Sequence, residues 1–140
     1  TVRAETARML AIAEASGVLL QPMKSGIELF AGAIAEPGYG HLVFCGLGGV
    51  FVEVFKDSAH ALAPFDTAEA ERMIGSLKGY PLLEGTRGGA GIDIAAYAEV
   101  LVRLSALTTA APEIAEMDLN PLMGTPQEVT VVDARIRIAK

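Results

Sequence analysis

The sequence predicts an α+β domain, with short strands first, helices next and a closing pair of strands. Three observations carry this. Short apolar runs bounded by Gly, Pro and turn residues fill the stretch 17–55. Apolar spacing of three and four then takes over, most clearly over 92–109. Strict alternation returns over 114–122 and 129–138.

Each element has a local reason. Val2 to Ala15 holds Ala, Glu, Arg, Met and Leu without Gly or Pro, which predicts a helix ended by Gly17, with Leu10 and Ile12 toward a core. Gly17 to Met23 (GVLLQPM) reads as a buried strand, and Lys24-Ser25-Gly26 as a turn into a second strand, Ile27 to Ala35. These two strands are expected to form a hairpin. Glu36-Pro37-Gly38-Tyr39-Gly40 is a punctuated turn into a third strand, His41 to Cys45, followed by Gly46-Leu47-Gly48-Gly49 and another apolar run, Val50 to Phe55. Asp66 or Thr67 can cap a helix over Ala68–Leu77, whose first turns hold Glu69 and Glu71. Gly79 to Gly91 reads as a glycine-rich loop, mobile or close to a ligand. Ile94, Tyr97, Leu101, Leu104 and Thr108 give the Ile92–Thr109 helix one buried face, with Asp93 at its cap and Pro112 beyond its end.

Composition bounds the function. At 140 residues and 51% apolar content the chain suits one domain with a real core. A single cysteine forbids an internal disulfide and is compatible with a reducing, cytoplasmic setting. No uninterrupted apolar run approaches the ~18 residues of a membrane span, so no membrane partner is expected. Seventeen acidic against eleven basic residues leave a net charge of −6. The basic residues are scattered, apart from Arg135, Arg137 and Lys140, so no nucleic-acid partner is expected. A nucleotide stays open, because magnesium bridges carboxylates to phosphates. The opening TVRAETARML has neither an initiator Met nor a signal-peptide pattern and reads as a cut through a longer chain.

The chemistry concentrates in Glu116-Met117-Asp118-Leu119-Asn120-Pro121-Leu122 and Val131-Val132-Asp133-Ala134-Arg135. Alternation puts Glu116, Asp118 and Asn120 on one strand face, and Met117 and Leu119 on the core side. In the second strand Asp133, Arg135 and Arg137 share a face opposite Val132, Ala134 and Ile136. A turn at Gly124 and Pro126 would fold the polar faces into one oxygen-rich patch, the donor set that magnesium takes. The same alternation also suits a merely solvated strand face. His41 and His60 have no partners at metal-ligand spacing, and Cys45 reads as a buried structural thiol.

The string EMDLNPL, with thirteen residues from Asn120 to Asp133 in VVDARI, resembles the C-terminal strand pair of ATP-grasp domains. It resembles above all the NDP-forming acyl-CoA synthetases, including ADP-forming acetate–CoA ligases, and more distantly the succinyl-CoA synthetase β subunit. LLQPMKSGIELFAG, FCGLGGVFVEVFKDSAHALAPF and LKGYPLLEGTRG resemble further blocks in order, so the likeness covers Val18 to Ile138.

That resemblance implies an ATP-grasp-like lobe, a mostly antiparallel sheet packed with helices. It implies that Asn120 and Asp133 hold magnesium with the phosphates of ATP or ADP, and that Asp118 and Glu116 are further metal candidates, through water. Gln21, Pro22 and Met23 match the hinge beside the adenine, where backbone groups read the base. Glu28 matches a polar contact to nucleotide or phosphate. Gly48 and Gly49 either let amides approach an anion or only supply a tight connection. Glu53, Lys56 and Asp57 lie near phosphoryl transfer or simply end a charged strand. Arg87 is the candidate catalytic residue, a phosphate or acyl-phosphate contact. The family relays phosphate through a phosphohistidine, a role that neither His41 nor His60 takes by its surroundings. Lys24, Lys56, Lys78 and Lys140 lie in no segment resembling the family's lysine strands. An N-terminal ATP-grasp lobe and CoA-binding domains are therefore expected partners outside this chain, which alone is expected to be inactive. A homodimer through exposed apolar surface is a further expectation. The implied reaction is acyl-CoA + ADP + phosphate ⇌ acid + CoA + ATP. Another carboxylate ligase, or a non-catalytic α+β module, are the alternatives.

Overall fold

The computed structural model describes residues 1–49, 57–86 and 88–139. Its elements run α1 (Val2–Leu10), β1 (Ile27–Glu36), β2 (Gly40–Leu47), β3 (Ser58–Leu62), α2 (Thr67–Gly75), α3 (Tyr80–Glu84), α4 (Ile94–Ala110), β4 (Ile114–Gly124), β5 (Val129–Val131) and β6 (Ala134–Ile138). The strands form one antiparallel sheet in the order β3-β2-β1-β4, and β5 and β6 share the outer edge of β4.

Alternation decides which side chains enter the core. Leu29, Ala31 and Ala33 of β1, Val43, Cys45 and Leu47 of β2, and Met117, Leu119 and Leu122 of β4 point to one face and are buried. Helices α2 and α4 cover that face with Met73, Ile74, Tyr97, Leu101 and Leu104. Both helices start as the sequence predicts: the Asp66 carboxylate accepts the Glu69 N–H at 3.1 Å, and that of Asp93 accepts the Ala96 N–H at 2.9 Å. His41 is a buried structural residue, its Nε2 2.6 Å from the Ile114 carbonyl. No helix among the described residues is long and apolar enough to cross a membrane.

Several expectations are corrected. The segment Gly17–Met23 is neither a strand nor buried: Leu19 is 80% and Met23 96% exposed. The reason is topological. Both edges of β1 are taken, by β2 and by β4, so the expected hairpin has no free edge to use. Helix α1 buries no residue, and Leu10 and Ile12 lie exposed. The Gly79–Gly91 loop contains the short helix α3. The expected strand Val129–Ile138 is broken at Val132–Asp133 into β5 and β6. Strand β3 was not expected from SAHAL, whose Ala residues favour strands poorly; it forms because β2 offers an edge from Leu42 to Gly46. The apolar run Val50–Phe55 lies outside the described residues.

Candidate functional site

Helices cover one face of the sheet; the other carries the polar residues singled out in the sequence. Cross-strand register arranges them in rows. One row runs Leu62, Leu42, Ile34, Glu116, Arg137, and the next His60, Phe44, Gly32, Asp118, Arg135. A third row brings Ser58, Gly46 and Phe30 toward Asn120. Each row therefore turns from apolar or neutral on β2 and β3 to polar on β4 and β6. Glycines make the apolar part flat: a Cβ on Gly32 would overlap the Phe44 ring, and one on Gly46 would meet the Phe30 ring. The two rings stand 6.2 Å apart, centroid to centroid.

A β-bulge sets the centre of the polar part. Leu29 pairs with Leu122 and Ala31 with Leu119, so Asn120 and Pro121 together stand opposite Phe30. Such a bulge re-aims side chains locally. The backbone then ties Asn120 to the break between β5 and β6. The Asn120 N–H donates to the Asp133 carbonyl at 3.2 Å, and the Val132 N–H to the Pro121 carbonyl at 3.0 Å. Asn120 and Asp133 are thus neighbours on the exposed face.

Charges are shared unevenly around them. Arg137 holds Glu116 with a 3.0 Å ion pair. Arg135 is only loosely placed, its Nε 3.7 Å from Asp133 Oδ2. Partial burial raises the Asp118 carboxyl above the usual carboxylate range; the Arg135 charge pulls it down, and Glu116 and Asp133 push it up. A hollow of about 230 Å³ lies among Glu116, Asp118, Arg135 and Arg137. Among the described residues no three His, Cys, Asp or Glu side chains gather into a closed metal shell. The oxygen set of Asn120, Asp133 and Asp118 nevertheless fits magnesium, which uses one or two carboxylates and fills its octahedron with water and phosphate oxygens.

A second concavity, a cleft of about 560 Å³, opens at the strand ends between Glu28, the Gly48-Gly49 turn and Leu82, Thr86 and Gly89 of the glycine-rich loop. The Gly48 N–H donates to the Glu28 carbonyl at 2.7 Å. Gly49 has φ +61°, and a Cβ there would stand 2.6 Å from Glu28 Oε2. The turn thus requires glycine for its backbone alone, whatever it binds. Glu28 lines this cleft and sits on the same sheet face as Asp118. Gln21, Pro22 and Met23 line neither concavity; they run exposed toward Lys24, whose Nζ is 2.6 Å from Glu128 Oε1. Arg87, Glu53 and Lys56 lie outside the described residues.

Two polar residues have structural roles that sequence reading missed. Asp57 is buried, and its carboxylate accepts the N–H of Lys78 at 2.9 Å and of Gly79 at 2.7 Å, which ties the residue just before β3 to the loop after α2. The Tyr97 hydroxyl, fully buried, donates to the Phe30 carbonyl at 2.6 Å and accepts the Gly46 N–H at 3.1 Å. A tyrosine inside an aliphatic helix stripe was the available signal, since a buried phenol needs partners.

Comparison with known proteins follows the same lines. A family model described as an ATP-grasp domain matches residues 1–138. The chain is 38% identical over 119 residues to the β subunit of ADP-forming acetate–CoA ligase I from Pyrococcus furiosus, covering 85% of this chain and 51% of that one. It is 42% identical to the ADP-forming acetate–CoA ligase I of Archaeoglobus fulgidus, covering 89% of this chain and 18% of the ligase. Among solved structures, the dinucleotide-forming acetyl-CoA synthetase 1 of Ca. Korarchaeum cryptofilum, with coenzyme A and acetyl-CoA, superposes with a TM-score of 0.88 at 37% identity. That match covers 98% of this chain and 65% of the other. A complex of the same synthetase with coenzyme A and Mg-AMPPCP gives 44% identity and a TM-score of 0.79, over 83% of this chain and 55% of that one. The chain thus spans about half the length of the Pyrococcus subunit and under a fifth of the Archaeoglobus ligase.

Proposed function

This chain belongs to the ATP-grasp domain family, and from that premise we propose that it is the nucleotide- and magnesium-holding lobe of an NDP-forming acyl-CoA synthetase. The reaction is acyl-CoA + ADP + phosphate ⇌ acid + CoA + ATP. The observation that carries this reading is the side-by-side placement of Asn120, at the β4 bulge, and Asp133, in the break between β5 and β6, on the open face of the sheet.

In this reading the Asn120 carboxamide oxygen and the Asp133 carboxylate hold magnesium, which neutralises phosphate charge during transfer. Asp118 lies two residues from Asn120 on the same face and orients water on the metal. Glu116, paired with Arg137, contributes charge to the rim rather than a direct ligand. Glu28 joins the polar face to the cleft at the Gly48-Gly49 turn and marks the nucleotide's path. Backbone groups of Gln21-Pro22-Met23 meet the adenine edge, and Arg87 contacts the transferring phosphoryl group. The second ATP-grasp lobe and the CoA-binding domains come from other parts of the enzyme. The exposed apolar residues of the N-terminal arm are the surface such domains cover.

A magnesium-dependent ADP titration by calorimetry tests the proposal. Binding is expected to weaken by ~10-fold or more in both Asn120→Ala and Asp133→Ala, as for loss of an interaction with a charged group. Equal binding by wild type and both variants would remove the metal assignment. Formation of ATP from acetyl-CoA, ADP and phosphate by this chain alone would contradict the need for the other domains.

A further inference from the structure

The two arginines of β6 face the same row of acids but are not equivalent. Arg137 is committed, with Nε and Nη2 at 3.2 and 3.0 Å from one Glu116 oxygen. Arg135 stands directly across the ladder from Asp118 and beside Asp133, yet its side chain is 83% exposed. Its only ion pair among the described residues is the 3.7 Å approach to Asp133 Oδ2, and there it donates no hydrogen bond. A guanidinium has five donors in a planar fork suited to phosphate oxygens. Here nearly all of that capacity faces solvent at the rim of the hollow.

The geometry points to Arg135 as a counter-cation that stands loosely beside the carboxylates of Asp118 and Asp133 when no metal is bound, and turns its fork to the phosphate oxygens when a metal–nucleotide arrives. This rests on the magnesium reading of Asn120 and Asp133. A bare divalent cation competes with the guanidinium for the same carboxylates. A metal carrying a diphosphate brings its own acceptors, so the displaced guanidinium finds new partners. The residue therefore opposes metal alone and favours metal with nucleotide. Arg135 is a positioning and selectivity residue in this role, and it sharpens the site's preference for the complex over the free ion.

Two titrations at constant ionic strength separate these effects: Mn²⁺ alone, followed by its free-ion paramagnetic resonance signal, and MgADP, followed by calorimetry. Arg135→Gln is expected to bind Mn²⁺ alone ~3-fold tighter, the size of an exposed charge pair, and MgADP ~10-fold more weakly, the size of a charge-assisted hydrogen bond. Arg135→Lys keeps the charge without the fork. It should match wild type for Mn²⁺ and still bind MgADP more weakly than wild type. Opposite movements in one variant are the signature, because general damage to the site weakens both. Unchanged affinities in Arg135→Gln, or a parallel loss of both, overturn the inference while the metal site stands. If wild type binds no Mn²⁺, or Asp133→Asn binds it equally well, the metal reading itself falls and this role falls with it.

Discussion

Tyr97 is the buried polar residue with the most at stake. Its hydroxyl satisfies one carbonyl on β1 and one N–H on β2, next to the bulge that aims Asn120. Tyr97→Phe strands both groups in the core, so urea unfolding should show a loss of about 1–3 kcal/mol. Cys45 lies beside it, and burial pushes its thiol from 9.0 up to about 12. The sign follows directly. Below pH 9 the thiol is protonated folded and unfolded; above it only the unfolded chain sheds the proton. Stability should therefore fall from about pH 9 toward 12, by up to about 1.4 kcal/mol per pH unit, and Cys45→Ala should flatten part of that slope. A pH series of urea midpoints on wild type and variant measures it. The burial of both residues was legible in the sequence, but the partners of Tyr97 were not, because they lie some fifty and sixty-seven positions away along the chain. The exposed, neighbouring placement of Asn120 and Asp133 was legible, because strand alternation and a familiar string of residues put both on one polar face.

At the scale of elements, capping and alternation were readable because their causes are local. Asp66 and Asp93 cap the helices that their positions announced, and Met117 and Leu119 point to the core as period-two spacing required. The strand reading of Gly17–Met23 failed because an apolar run says nothing about whether a sheet edge is free to receive it. Strand β3 was missed for the converse reason: the edge of β2 makes SAHAL a strand. Asp57 shows how a non-local tie secures a connection. Asp57→Ala leaves the N–H groups of Lys78 and Gly79 without their acceptor, and should cost about 2 kcal/mol in unfolding free energy. Gly32→Ala tests the flat, ring-covered part of the open face. The new methyl would collide with the Phe44 ring and the β4 backbone, and a loss of about 1–3 kcal/mol is expected from chemical denaturation.

Across the whole molecule, one face of the sheet builds the core and the other carries the polar row proposed as the binding site. Helix α1 takes part in neither, and it buries no residue. Deleting residues 1–16 should accordingly leave the urea midpoint unchanged, and a clear drop would mean that the arm packs on the body. Strand β4 holds the opposite position. It pairs with β1, β5 and β6, carries core residues on one side, and bears Asn120 on the other. Its neighbour β1 (Ile27–Glu36) is synthesised well before β4 (Ile114–Gly124). Until then β1 has a bare edge and no cover on that side, a template for stray strand pairing. Long-range closure of this kind is slow. If nucleotide is held at Asn120 and Asp133 as proposed, it has nothing to grip on a chain that still lacks them and offers the nascent domain no shelter. The perilous interval for this protein is its own synthesis, when holdase chaperones rather than substrate would decide its yield.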